Sequence, residues 1–423
     1  MNIGKSIHGK GQTACFQEGI TSSEDTASLV SLLKRRAPFV FLDSAVSSGR
    51  DSHSLFFAEP SDIITGSSPS DVSRVFGAVE KALGSGKYVA GYFTYEWGFC
   101  MEPVLWRLLD RHSLSGPLVW LGVFDRPSEP AGPVAGEVAL SSLRSEEVPA
   151  IKLECSEDEF VSGVRAVKGF IAAGDTYQVN YTLRGRFLFD HDPAALYILL
   201  RGRQPVKYGA FIFHDNRQIL SFSPELFFSV DNRIITARPM KGTVRRGATR
   251  REDEANRRFL AGDMKNRAEN VMIVDLIRND LGRISETGTV TVPELFTVEP
   301  YETLYQMTST IRGRLRASAG WEDIFRAIYP CGSITGAPKI RTMEIIAELE
   351  RSPRGVYTGA IGYMAPDGSA MFNVAIRTVL LEDGRGEIGI GSGITWGSEP
   401  GDEFRETLLK AEFFSRFQER DEV

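Results

Sequence analysis

Residues 208–237 read YGAFIFHDNRQILSFSPELFFSVDNRIITA, and the fold class turns on this stretch. Four runs rich in β-branched and aromatic residues, at 208–213, 219–222, 226–230 and 234–237, are separated by gaps too short to hold a helix. They read as an antiparallel meander, because parallel strands each need a long crossover. Downstream, 264–281 and 337–350 have helical periodicity, with Pro338 suited to a first turn, and three further strand-like runs follow at 356–364, 371–381 and 387–394. A last helix spans about 402–417. Strands in blocks with helices between the blocks argue α+β and not a doubly wound parallel sheet.

Upstream of the quoted stretch, Ser156 and Glu159 have capping-box spacing, and Phe160, Val164, Val167 and Ile171 repeat at helical intervals up to Gly174. Tyr177, Val179, Tyr181 and Leu183 then alternate with Gln178, Asn180, Thr182 and Arg184. This pattern predicts a half-buried strand whose second face is polar throughout. The segment 126–150, rich in Pro, Ser, Gly and Glu, reads as a connection between a first part, 1–150, and a second, 151–423.

Composition excludes several classes. With 42% hydrophobic and 25% charged residues over 423 positions the chain is globular, not disordered. A net charge of −6 with both signs interspersed leaves no basic field for a phosphate backbone, so nucleic acid is not an expected partner. No run of about 18 apolar residues and no signal pattern over Met1 to Ile20 are present, so a soluble cytoplasmic enzyme is expected. Cys15, Cys100, Cys155 and Cys331 are too dispersed for a disulfide framework or a zinc site. The five histidines, His8, His53, His112, His191 and His214, lie outside every motif considered below.

Three places could carry chemistry. Glu403, Glu406 and Lys410 share one stripe of the last helix, which is either a solvated face with a Glu406–Lys410 pair or a cluster projecting into a site. Glu269 stands among apolar residues of the 264–281 helix and needs a partner. A Mg²⁺ shared with a last-helix carboxylate would serve, as would an ion pair with Arg267 or Arg278. Lys241 precedes a glycine and is crowded in sequence by Arg238, Arg245 and Arg246. That crowding predicts a lowered pKa and a nucleophilic amine, or else a basic turn that holds an anion, and Glu225 is the nearby acid or base or an arginine's partner. Arg377, placed in a strand, suits a carboxylate, and Gly391 and Gly393 can offer backbone N–H groups to a second one.

Seven segments in order carry a resemblance: Gly174-Asp-Thr-Tyr-Gln-Val-Asn180, Ser223-Pro-Glu225, Lys241-Gly-Thr243, Glu269-Asn-Val-Met-Ile-Val-Asp-Leu276, Gly332-Ser-Ile-Thr-Gly-Ala-Pro-Lys339, Tyr357-Thr-Gly-Ala-Ile-Gly-Tyr363 and Glu403-Phe-Arg-Glu-Thr407. From about Gly174 to Ala411 the chain resembles the chorismate-utilising enzymes, which include anthranilate, aminodeoxychorismate, isochorismate and salicylate synthases. The resemblance implies an α+β fold of two packed, mainly antiparallel sheets surrounded by helices, with residues 1–150 as an anthranilate synthase component I-like part packed onto a catalytic part at 151–423. It implies Mg²⁺ on Glu269 and Glu406 with Glu403 beside it, and substrate contacts at Gln178, Gly242, Thr243, Tyr357, Arg377, Gly391, Gly393 and Lys410.

Within the family, isochorismate and salicylate synthases carry a water-activating lysine where this chain has Gln178. Anthranilate synthases usually carry alanine at Lys241, and a family histidine linked there to pyruvate elimination is Gln306 here. The resemblance therefore implies amination of chorismate at C4, with Lys241 as covalent nucleophile, Glu225 as general acid and ammonia from a partner glutamine amidotransferase. Anthranilate synthesis is the alternative, and isochorismate or salicylate synthesis the next. Phe41-Leu-Asp-Ser44 resembles the family's tryptophan-binding region but reads more simply as the start of a core strand.

Overall fold

The strands of the 208–237 stretch pair antiparallel, but not as one meander. Tyr208–His214 pairs with Arg217–Ser223 and Leu226–Asp231 pairs with Ile234–Arg238, yet the two hairpins belong to different sheets. Pro224 and Glu225 carry the chain across, at a point where proline has no N–H to continue the ladder. The run read as one strand at 371–381 is likewise two. Ala370–Val374 lies in the second sheet and Thr378–Glu382 in the first. Arg377 therefore sits in the return crossing and not in a strand, with a φ of 51°. The crossings are bonded together: the Val374 N–H donates to the Glu225 carbonyl at 3.1 Å, and the Phe222 N–H donates to the Arg377 carbonyl at 3.0 Å.

The computed structural model describes residues 33–35, 37–45, 54–111, 116–127, 143–301 and 304–414. The readings at 1–20, at Cys15, His8, His53 and His112, over most of the 126–150 connection and at 415–417 lie outside these residues. The first sheet has nine strands, in the order Gly336–Ala337, Gln178–Leu188, Arg385–Thr395, Thr378–Glu382, Arg217–Ser223, Tyr208–His214, Phe39–Asp43 and Leu55–Ala58, with Lys152–Leu153 also on Gln178–Leu188. The second has ten, in the order Met240–Arg245, Leu304–Arg314, Ile234–Arg238, Leu226–Asp231, Ala370–Val374, Ala360–Met364, Tyr88–Phe93, Val119–Phe124 and Asp62–Gly66, with Thr291–Pro300 on Leu304–Arg314. Strands from before residue 125 thus extend both sheets.

One core layer lies between the sheets, where Val40, Phe57 and Ile212 of the first meet Tyr92, Trp120 and Phe124 of the second. The opposite face of the first sheet presents Phe41, Phe211 and Phe222 to Tyr197 of the helix Pro193–Arg203. Asp43, at the end of Phe39–Asp43, accepts hydrogen bonds from Arg201 at 2.6 Å and Tyr197 at 2.9 Å, so Phe41 to Asp43 form a core strand. The strand Gln178–Leu188 departs from expectation. Its polar face is buried as deeply as its apolar one from Gln178 to Arg184, because that face looks into the interior of the molecule.

Helix Glu157–Ala172 has the predicted cap: the Glu159 N–H donates to Ser156 Oγ at 3.3 Å, and the Ser156 N–H to the Glu159 carboxylate at 2.7 Å. Met264–Gly282 also agrees with its pattern, whereas Lys339–Leu349 begins after Pro338, and Pro400–Leu409 is shorter than read. Helix Arg250–Gly262 had no apolar period to reveal it. It buries only Leu260 and rests on its Thr249 cap and on ion pairs such as Arg258–Glu254 at 2.8 Å. No helix among the described residues is long and apolar enough to cross a membrane.

Behind the polar strand lies a buried ion pair. Arg354 donates to Glu350 from Nε at 2.9 Å and Nη2 at 2.6 Å, to the Ile334 carbonyl at 2.7 Å and to the Asn180 carbonyl at 2.6 Å. Glu350 also accepts the Thr182 N–H at 2.9 Å, and Glu96 accepts the N–H groups of Arg354 and Gly355. Both members of the pair are almost wholly inaccessible, so removing one strands the other's charge without water. Arg354→Met or Glu350→Gln is therefore expected to cost about 3–5 kcal/mol in chemical denaturation.

Burial pushes the Glu96 carboxyl from its ordinary 4.5 up to about 7, against the pull of its own N–H donors and of Arg184. The folded protein then retains a proton that the unfolded chain has released. The stability Glu96 contributes is complete below pH 4.5 and is lost as pH rises to about 7. Across that window the wild type is expected to lose stability relative to Glu96→Gln by about 1.4 kcal/mol per pH unit, read from parallel denaturation curves.

Candidate active site

The floor of the candidate site comes from the pairing of Gln178–Leu188 with Arg385–Thr395. Gln178 opposes Thr395, Asn180 opposes Gly393, Thr182 opposes Gly391 and Arg184 opposes Gly389. Residues opposed in an antiparallel pair share a face. The polar face of one strand and the glycine face of the other are therefore a single surface. A Cβ at Gly393 would lie 2.8 Å from Gln178 Nε2 and 3.2 Å from Lys241 Nζ, so the absent side chain makes room for both ends. At Gly391 a Cβ would meet the Tyr181 carbonyl at 2.5 Å, and at Gly389 the Tyr357 ring at 2.0 Å. The Gln178 amide is buried, and neither of its polar atoms has a hydrogen-bond partner.

Lys241 comes to this floor from the strand Met240–Arg245, whose register against Leu304–Arg314 shifts between Met240 and Thr243, with Gly242 at a φ of 83°. Its Nζ donates to the Ser333 carbonyl at 3.4 Å. The amine's pKa is lowered as expected, but the sequence-adjacent arginines do not cause it. Arg238 pairs with Glu299, Arg246 with Asp253 at 2.6 Å and Arg245 with Glu412 at 3.6 Å. Burial does the lowering, aided by the charge of Lys410 and opposed by Glu269, Glu225 and Glu406. Glu225, in the first crossing, makes no arginine pair among the described residues. Burial raises its carboxyl to about 7 against the Ser333 hydroxyl, the Lys241 charge and the Met240 N–H, and its Oε1 has no partner.

The acidic residues gather on one side of Lys241. Glu269 makes no ion pair among the described residues: Arg267 lies over the Phe296 ring at 4.6 Å and Arg278 pairs with Asp275 at 3.1 Å. Burial raises the Glu269 pKa, Lys241 and Lys265 oppose the rise, and Glu403 and Glu406 add to it. Glu403 is buried and accepts from the Ser398 hydroxyl at 2.6 Å, with Lys265 at 3.7 Å. Glu406 is half exposed and pairs with Lys410 at 2.8 Å, while Lys410 also donates to the Gly391 carbonyl at 3.1 Å. The intrahelical pair of the last helix forms, but the face is not solvated throughout, since Glu403 is buried and Lys410 reaches the Gly391 carbonyl. Among the described residues no three His, Cys, Asp or Glu side chains converge closely enough to enclose a metal by themselves.

The remaining expected residues lie further out. Burial lowers Arg377 to about 10, its Nη1 has no partner, and it lines a narrow cleft with Tyr301 and Gln306. Tyr357 is buried beneath the Arg184 guanidinium, 5.0 Å from its ring centroid, at the Gly389 end of the floor. Gly242 packs against Asn266, and Thr243 is exposed opposite Gln306. Two neighbours went unread in the sequence. Lys265 is signalled by its four-residue spacing from Glu269, and Ser333 has no signal beyond its place in the Gly332 to Lys339 segment. A cavity of about 260 Å³ lined by Leu42, Tyr88, Tyr208 and Tyr363 contains none of the expected residues.

Comparison with known proteins identifies a family. The family of chorismate binding enzymes matches residues 136–416. Aminodeoxychorismate synthase component 1 of Bacillus subtilis is 39% identical over 285 residues, which cover 67% of this chain and 61% of that protein. Aminodeoxychorismate synthase of Streptomyces griseus is 44% identical over 262 residues, or 62% of this chain and 36% of that one. This chain thus spans less than two thirds of the length of these relatives. Anthranilate synthase component 1 of Streptomyces coelicolor is 42% identical over 260 residues, 60% of this chain and 50% of that one, so identity alone does not separate the two activities. Anthranilate synthase component I of Streptococcus pneumoniae superposes with a TM-score of 0.69 at 25% identity, over 90% of this chain and 91% of that one. The α+β arrangement of two mainly antiparallel sheets is the one expected, and this chain belongs to the family of chorismate binding enzymes.

Proposed function

We propose that the chain aminates chorismate at C4 to 4-amino-4-deoxychorismate, with ammonia from a separate glutamine amidotransferase. The observation that carries this reading is Lys241, an enclosed amine of lowered proton affinity, sharing one small volume with a Glu225 carboxyl that titrates near neutrality. Neutral Lys241 adds to C2 as the C4 hydroxyl departs as water with the Glu225 proton, and ammonia then attacks C4 and expels the lysine. Residues 151–423 would be the catalytic part, and residues 1–150 the part whose strands complete both sheets. The weak local basicity of Gln178 argues against water as nucleophile. Relatives such as that of Bacillus subtilis are named as a "component 1", which supports a partner subunit, and the chain's composition supports a cytoplasmic setting.

Glu269, Glu403 and Glu406 fit a divalent cation that takes its other ligands from water and substrate: Glu403 and Glu406 both raise the pKa of Glu269, and Lys265 and Lys410 are the cations paired with them. Mg²⁺ takes one or two carboxylates together with waters and an anionic substrate, which this open donor set allows. Glu269 and Glu406 would hold it, and when bound it would draw electrons from the ring carboxylate of chorismate. Arg377 and the backbone at Gly391 and Gly393 would hold the other carboxylate, with Tyr357 and Lys410 at its margins.

With chorismate, Mg²⁺ and excess ammonium, mass spectrometry is expected to find aminodeoxychorismate and no pyruvate, and Lys241→Ala to lower turnover about 100-fold or more. Anthranilate with pyruvate would instead establish the alternative. Chelation of divalent cations is expected to abolish turnover, and Glu269→Ala to weaken Mg²⁺ binding in isothermal titration; unchanged titration would remove Glu269 from the metal site.

A further inference from the structure

We propose that Ser333 is the positioning residue that holds Lys241 and Glu225 in register with each other, its carbonyl oxygen taking the amine and its hydroxyl the carboxyl. This rests on reading Lys241 and Glu225 as nucleophile and acid. Lys241 Nζ donates to the Ser333 carbonyl at 3.4 Å, and the Ser333 side chain is, after burial, the neighbour that acts most on the Glu225 carboxyl, opposing the rise that burial imposes. One residue therefore touches both groups, which come from different places in the second sheet, the strand Met240–Arg245 and the crossing before Leu226–Asp231.

Ser333 is mounted rigidly enough to do this. It lies in a single tight turn, Gly332–Ile334. Before it, a Cβ at Gly332 would meet Leu276 of helix Met264–Gly282 at 2.6 Å, so the turn is pressed against that helix. After it, the Ile334 carbonyl is held by Arg354 at 2.7 Å, and the Thr335 hydroxyl closes on the Cys331 carbonyl at 3.0 Å. The Asn180 N–H then donates to the Thr335 carbonyl at 2.8 Å, which ties the turn to the floor strand. The carbonyls on either side are thus taken, and that of Ser333 is left facing the amine. Its hydroxyl has one further neighbour, Cys331 Sγ at 3.2 Å, a thiol that burial pushes up to about 12 and so keeps neutral. The neutral hydroxyl beside Glu225 offsets part of the rise that burial imposes on its carboxyl, and so bears on how readily that group gives up its proton.

The test compares full-length wild type, Ser333→Ala and Ser333→Thr with chorismate, Mg²⁺ and ammonium, with Lys241→Ala and Glu225→Gln alongside. Alanine keeps the carbonyl and removes the hydroxyl. The expected result is a kcat lowered about 10- to 100-fold with KM for chorismate within about twofold, an unchanged thermal midpoint, and most of kcat restored by threonine. A normal kcat for Ser333→Ala, a change confined to KM, or a threonine variant as impaired as alanine would each overturn the proposal. If Lys241→Ala and Glu225→Gln are inactive while Ser333→Ala is normal, only the role of Ser333 fails. If all of these variants turn over like the wild type, or the wild type forms no aminated product, the reading of Lys241 and Glu225 fails with it.

Discussion

Arg354 takes a full positive charge to a place that water does not reach, and the structure around the candidate site is organised by that fact. Its guanidinium is satisfied only where Glu350, the Ile334 carbonyl and the Asn180 carbonyl meet. Those groups belong to a helix end, a tight turn and a strand far apart in sequence. Charged hydrogen bonds in a low-dielectric interior are strong and directional, so the three segments have little freedom to slide. Glu96 adds a fourth segment by binding the backbone of Arg354 and Gly355. The glycine floor and the turn beside Lys241 inherit their separation from this one ion pair.

Against that well-satisfied hub, the polar atoms in front of it are under-satisfied. Gln178, Glu225, Gln306 and Arg377 each keep a buried nitrogen or oxygen without a partner. Native interiors seldom leave such groups unmatched, and a polar ligand is one way of matching them. Chorismate, with two carboxylates and a hydroxyl, offers the complementary groups. Their desolvation is set when the chain folds, so the ligand meets donors and acceptors that are already oriented.

Much of this was legible in the residues, and what was missed has physical reasons. Ser156 with Glu159 announced a helix start because the cap is a local interaction, and the 208–237 hairpins were visible because short gaps exclude crossovers. The change of sheet at Pro224 and at Ala375 to Arg377 was not visible, since a two-residue alternation looks the same whichever sheet the strand joins. Lys241 shows the limit most clearly. Its lowered pKa was anticipated from three neighbouring arginines, yet each of these has a carboxylate partner, and Glu299 and Glu412 are far away in the chain. The direction held for another reason, burial, which spacing cannot report. The polar face of Gln178 to Arg184 misled in the same way: polarity suggested water, whereas the face looks into the interior of the molecule.

Glu225 and Arg377 stand at the two points where the chain leaves one sheet for the other, and those crossings are bonded to each other. The distance between acid and arginine is thus a property of how the sheets sit together, in the manner of two marks on opposite leaves of a hinge. Substitutions in the layer between the sheets, at residues such as Phe57, Trp120 or Ile212, change that setting without touching the ligand. Core volume between the sheets is therefore one determinant of the spacing between Glu225 and Arg377, in the way that the thickness of a gasket sets the gap between two plates.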